Sequence, residues 1–130
     1  VELARRIGLS APACHARVKR LEEQGYVERY VALLDREKMH YDLLCFISIG
    51  IRLHQFAEIE RFRQIINELP EVLECHHITG EYDYLLKVAV RNRSELERFV
   101  VDKLTPIAGV ARIHTSIVLR EDKASTALPI

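Results

Sequence analysis

Residues 72–90 read VLECHHITGEYDYLLKVAV. Two apolar, β-prone runs flank the polar turn Thr79-Gly80-Glu81-Tyr82-Asp83, in which Gly80 supplies backbone freedom and Asp83 an acceptor for turn N–H groups. The pattern predicts a hairpin with strands over 72–78 and 84–90. Upstream, 44–53 reads as another strand and 57–69 as a helix. That helix carries Ile59, Phe62, Ile65, Ile66 and Leu69 on one face, and Pro70 stops it. Downstream, Ser94 and Glu97 have the spacing of a capping box for a helix bearing Leu96, Phe99, Val100 and Leu104. Pro106 and Gly109 close it, and 110–120 is the last strand. The order β-α-β-β-α-β predicts an α+β fold, with a ferredoxin-like unit over 43–130.

Two helices cover one face of a four-stranded sheet and leave the other open. On the third strand Tyr84, Leu86, Val88 and Val90 share a face, while Leu85 and Ala89 lie opposite with Lys87. On the first, Ile47, Ile49 and Ile51 oppose Leu44 and Phe46. Apolar residues on both faces predict a second copy of the chain as the cover. A charge at Leu86 or Val88 is expected to disturb that assembly.

Residues 1–34 read as a separate head, joined through the polar connector 35–42. Leu3, Ala4 and Ile7 form one apolar stripe and Gly8 ends the first helix. Ser10 is the N-cap of a second helix, with Pro12 in its first turn. Cys14, Val18 and Leu21 recur at the spacing of a buried face, Gly25 ends the helix, and 28–34 is β-prone. The outward side then carries Pro12, Ala16, Lys19 and Arg20, flanked by His15 and Arg17. Small residues near its N-terminal end admit a groove, and basic ones further along reach phosphates or guanine edges. A short turn between two such helices matches a DNA-binding helix-turn-helix.

Composition narrows the class without naming a function. Of the 130 residues 48% are hydrophobic and 29% charged, which excludes overall disorder. No stretch approaches the ~18 apolar residues of a membrane span. The first 15 residues lack the pattern of a signal peptide, and Cys14, Cys45 and Cys75 make a poor disulfide framework, so a cytoplasmic chain with reduced thiols is expected. Lys+Arg and Asp+Glu are both 19, but residues 1–30 hold six basic and four acidic side chains. A mildly basic head thus precedes a mildly acidic body.

Several motifs together resemble the Lrp/AsnC (leucine-responsive/asparagine-responsive) transcription regulators. They are LARRIGLS (3–10), RVKRLE (17–22) with Gly25, YVALLD (30–35), PEVLEC (70–75), TGEYD (79–83), SIVLRE (116–121) and TALPI (126–130), in family order along the whole chain. The resemblance implies a winged-helix-like head on a ferredoxin-like effector domain. It implies double-stranded DNA as partner, contacted by Ser10, Pro12, His15, Ala16, Arg17, Lys19 and Arg20. It also implies a small amino-acid effector held by Thr79, Gly80, Glu81, Tyr82 and Asp83, with Ser116, Ile117 and Val118 shaping the response. The family forms dimers that assemble further, up to an octamer. Family members begin with one more helix than this sequence shows.

Other chemistries find less support. Of Cys75-His76-His77, at most Cys75 and His77 share a strand face, and no second ligand cluster has matching spacing, so neither metal nor cofactor is expected. The paired carboxylates Glu22 and Glu23 read as an exposed helical face. One alternative is an enzyme that resembles siroheme decarboxylases, with His76, His77 and His114 as its residues. Another is a stand-alone amino-acid-binding module whose head has degenerated.

Overall fold

A computed structural model describes residues 1–52 and 55–130; Leu53, the expected end of the first strand, lies outside them. The chain divides into two compact units, Val1–Leu34 and Asp35–Ile130. Among the described residues no helix is long and apolar enough to cross a membrane.

In the smaller unit α1 (Glu2–Ile7) ends at Gly8, whose φ of 74° is one that a side chain would strain. Ser10, in extended conformation, caps α2 (Ala11–Glu23) by accepting the Ala13 N–H at 3.3 Å, and Pro12 sits in the first turn. At the far end Gly25 takes φ 81° and the Tyr26 N–H returns to the Leu21 carbonyl at 2.9 Å. Ala4 and Cys14 are buried between the helices. The expected apolar stripes are otherwise left open: Leu3, Ile7 and Leu21 remain 52%, 54% and 43% exposed. A six-residue helix against one of 13 brings together too little apolar surface to close a core.

Residues 28–34, expected as a strand, form none. A strand needs a neighbour for its backbone groups, and no described segment supplies one. Tyr30, Val31, Leu33 and Leu34 are left exposed. The Tyr30 hydroxyl donates to the Glu22 carboxylate, a bond that holds the phenol's pKa above its ordinary value.

The larger unit opens on a polar turn in which Asp35 accepts the Lys38 and Met39 N–H groups. Its elements are β1 (Leu43–Ile51), α3 (Phe56–Glu68), β2 (Val72–His77), β3 (Tyr84–Val90), α4 (Arg93–Arg98) and β4 (Val110–Ile117). The strands form one antiparallel sheet in the order β2-β3-β1-β4, the ferredoxin-like arrangement. Cys45, Ile47, Ile49, Leu86, Val88 and Val90 are fully buried on the face that meets Phe62 and Ile66 of α3 and Leu96 of α4. A π-helical turn, Phe99–Leu104, continues α4 and adds Phe99 and Leu104 to this core.

Three expectations change. The cap of α4 is Asn92, whose side chain accepts the Glu95 N–H at 2.9 Å, and not Ser94. Asn caps as well as Ser, and a start at Asn92 adds two residues, about half a turn, before Leu96. β4 stops at Ile117, although the Val118 N–H still bonds the Leu44 carbonyl at 2.9 Å. Leu86 and Val88 face the helices, so a change there tests folding and not assembly.

The second face is more polar than its β1 and β3 residues suggest. Phe46, 37% exposed, pairs with Ser116 and Lys87, while Ser48 pairs with His114 and Leu85. Glu74, beside Lys87, accepts from His76 at 2.8 Å, and that bond lowers the Glu74 pKa. Leu86→Ala should destabilise this unit by about 2–5 kcal/mol in denaturant unfolding, through the cavity left against the helices. A loss below half a kcal/mol would contradict the burial of Leu86.

Candidate functional site

α2 projects its side chains from a helix fixed at both ends, by Ser10 and by the turn at Gly25. Ser10, Pro12, His15, Ala16, Arg17, Lys19 and Arg20 are all exposed. Arg5 and Arg6 on α1 are held by Glu2 at 2.6 and 2.9 Å. Arg17, Lys19 and Arg20 form no ion pair among the described residues. This face thus offers three uncompensated positive charges beside small side chains, the combination that a nucleic-acid backbone rewards through counterion release.

The hairpin between β2 and β3 is closed by the Ile78 N–H on the Asp83 carbonyl at 2.9 Å, with Gly80 at φ 109°. Asp83 then ties the turn to β1. Its N–H donates to the Ile49 carbonyl at 2.9 Å, and its Oδ2 accepts the Ile51 N–H at 2.8 Å. The Asp83 carboxylate therefore caps a backbone N–H of β1 and not, as read from the sequence, one of its own turn, and its Oδ1 takes no hydrogen bond among the described residues.

Two β4 residues complete the surroundings of the turn: Arg112, which sequence reasoning missed, and His114, which it named only for the enzyme alternative. The Arg112 guanidinium lies 4.6 Å from the centre of the Tyr82 ring and donates to the Glu81 carbonyl. The His114 ring is 6.2 Å from that of Tyr82. Only the β1–β4 register could have revealed them, since it sets Arg112 opposite Gly50 at the hairpin end of the sheet. The same register puts Ser116 beside Phe46, and the Val118 N–H on Leu44. From Leu44 to Ile49 is five strand residues, about 17 Å at ~3.4 Å each, and from Phe46, beside Ser116, it is three, about 10 Å. Within one chain, Ser116, Ile117 and Val118 therefore do not meet the hairpin.

The remaining candidates scatter. His76 bonds Glu74, while His77 stacks on Tyr84 with ring centres 4.7 Å apart. Among the described residues no group of three or more His, Cys, Asp or Glu is arranged to hold a metal ion. Burial pushes the Cys45 and Cys75 thiols up, away from the reactive thiolate. A cavity of about 310 Å³ lies between α3 and Pro106, Ile107 and Ala108, away from the hairpin.

Comparison with known proteins gives these features a context. Residues 44–128 match the model of the Lrp/AsnC ligand binding domain, and residues 1–28 match a winged helix-turn-helix DNA-binding model. The leucine-responsive regulatory protein of Escherichia coli K12 is 37% identical over all 130 residues, which cover 79% of its length. A transcriptional regulator of Neisseria meningitidis, solved as a complex with L-Met, is 40% identical with a TM-score of 0.94, over 99% of this chain and 83% of that one. A feast or famine regulatory protein from M. tuberculosis, complexed with L-methionine, is 31% identical with a TM-score of 0.77, over 98% and 84%. These relatives are regulators and not enzymes, which overrides the decarboxylase alternative. With both of its parts matched in order, the chain belongs to the Lrp/AsnC family, and it is a DNA-binding transcriptional regulator of that amino-acid-responsive kind.

Proposed function

We propose that residues 1–34 bind double-stranded DNA, that 35–42 connect, and that 43–130 hold a small amino acid and join subunits. The DNA contacts are Ser10, Pro12, His15, Ala16, Arg17, Lys19 and Arg20, with Lys19 and Arg20 as the main basic groups. The effector lies at the turn formed by Thr79, Gly80, Glu81, Tyr82 and Asp83, and an apolar amino acid suits it best. An ammonium group requires a fixed anion, which the free Oδ1 of Asp83 supplies. Ser116, Ile117 and Val118 reach such a site only from a neighbouring subunit, so the proposal includes a homo-oligomer. It is a dimer through the sheet face of Phe46, further associated at the hairpin edges, up to an octamer. The protein works in the cytoplasm, which suits its free cysteines. A site shared between subunits lets the effector alter their geometry, and with it the spacing of the DNA-binding heads.

The observation that carries this reading is the exposed, unpaired basic face of α2 within a matched helix-turn-helix. A two-fold dimer should prefer near-palindromic sites with half-sites about one helical turn apart. Gel-shift titrations over several salt concentrations should show weaker binding by Lys19→Ala/Arg20→Ala. Its salt dependence should be shallower by about one unit of slope for each phosphate that the variant no longer neutralises. Unchanged affinity and slope would refute this placement of the groove-facing side.

Assembly has its own test in light scattering at micromolar concentration. The expected mass is a multiple of the 15.1 kDa chain, and Phe46→Asp should reduce it. A wild-type species of 15.1 kDa would end the proposal of a shared effector site.

A further inference from the structure

Arg112 is placed by an unusual path. It stands on β4 directly across from Gly50 of β1. A Cβ at position 50 would lie 3.0 Å from the Arg112 Nε and 3.3 Å from its Nη2, so the side chain passes over β1 where that strand has no side chain of its own. Beyond Gly50 it reaches the turn, where Nη2 donates to the Glu81 carbonyl and the guanidinium carbon sits 4.6 Å from the Tyr82 ring centre. The cation is thus braced from two sides by the turn itself.

Among the described residues no carboxylate lies within ion-pair distance of Arg112. Of the five N–H donors of a guanidinium, one on Nη2 is used among the described residues. Asp83 is anchored on the Ile51 N–H, the next residue along β1 from Gly50. A fixed anion and a fixed, unpaired cation therefore gather at one end of β1, the requirement for a ligand that carries both charges. The planar fork of arginine matches a carboxylate in a way that lysine cannot reproduce.

From this we infer that Arg112, held over Gly50 by Tyr82 and the Glu81 carbonyl, is the group that receives the effector's α-carboxylate. The inference rests on the reading of the turn as the effector site. It assigns carboxylate recognition to a β4 side chain outside the turn. Gly50 acts through Arg112 as a positioning residue.

Calorimetry on the full chain tests it with L-methionine and L-methionine amide, which differ only in the carboxylate. Wild type should prefer the acid by about tenfold or more, the worth of a charge-assisted hydrogen bond. Arg112→Gln should lose that affinity and bind acid and amide alike. Gly50→Ala, which displaces only the flexible end of Arg112, should lower the preference while its melting temperature stays within a few degrees of wild type. Arg112→Lys should restore the preference only in part. Arg112→Gln with unchanged affinity and an intact preference for the acid would overturn the inference and leave the effector site standing. A wild type that binds neither the acid nor the amide, nor any other amino acid in a screen, would overturn both.

Discussion

The larger unit depends on β1, which pairs along its length with β3 on one side and β4 on the other. Because side chains alternate across a strand, this double pairing fixes two surfaces at once. One packs Cys45, Ile47 and Ile49 beneath α3 and α4, and the other sets Phe46, Ser48 and Gly50 in the open face. A slip of one residue would exchange them and expose the core. At its end β1 also receives the hairpin, through the Asp83 carboxylate on the Ile51 N–H. The turn is therefore held by a central strand of the sheet, while its own Gly80 leaves it free to present backbone and ring.

Much of this was legible because the signals were local. Alternation marked β3 to the residue, and the apolar spacing of Phe62 and Ile66 marked the inward side of α3. What escaped depends on partners that a sequence does not display. Ser94 and Asn92 both suit a helix cap, and local preference does not rank them. Residues 28–34 have the composition of a strand without a neighbour to pair with. Leu21 has the spacing of a core residue in a unit too small to enclose it. Arg112 and His114 could join the site only once the β1–β4 register was known, and the same register separates Ser116 from the hairpin. Six α2 residues, Pro12, His15, Ala16, Arg17, Lys19 and Arg20, came by contrast from one helical wheel, and with the N-cap Ser10 all lie exposed.

Charge divides the work between the units. The free cations of α2 favour a polyanion at a solvated surface, where binding falls with salt. At the hairpin, the proposed effector site, a cation and an anion sit beside an aromatic ring and partly buried backbone, an arrangement suited to a small zwitterion. Coupling between the two requires an element with two arrangements, and rotation of subunits about the proposed shared effector site would be one. Reciprocity then makes amino-acid affinity depend on DNA by the same factor as DNA affinity depends on the amino acid.

Hydrogen exchange on the whole chain, with and without saturating L-methionine, tests the assignment of the effector to the hairpin most directly. Slower exchange is predicted at the amides of Gly80, Glu81, Tyr82 and Asp83, at Ile51, and along the Arg112 end of β4. Protection confined to α3 and residues 106–108, around the 310 Å³ cavity, with the hairpin unchanged, would contradict it.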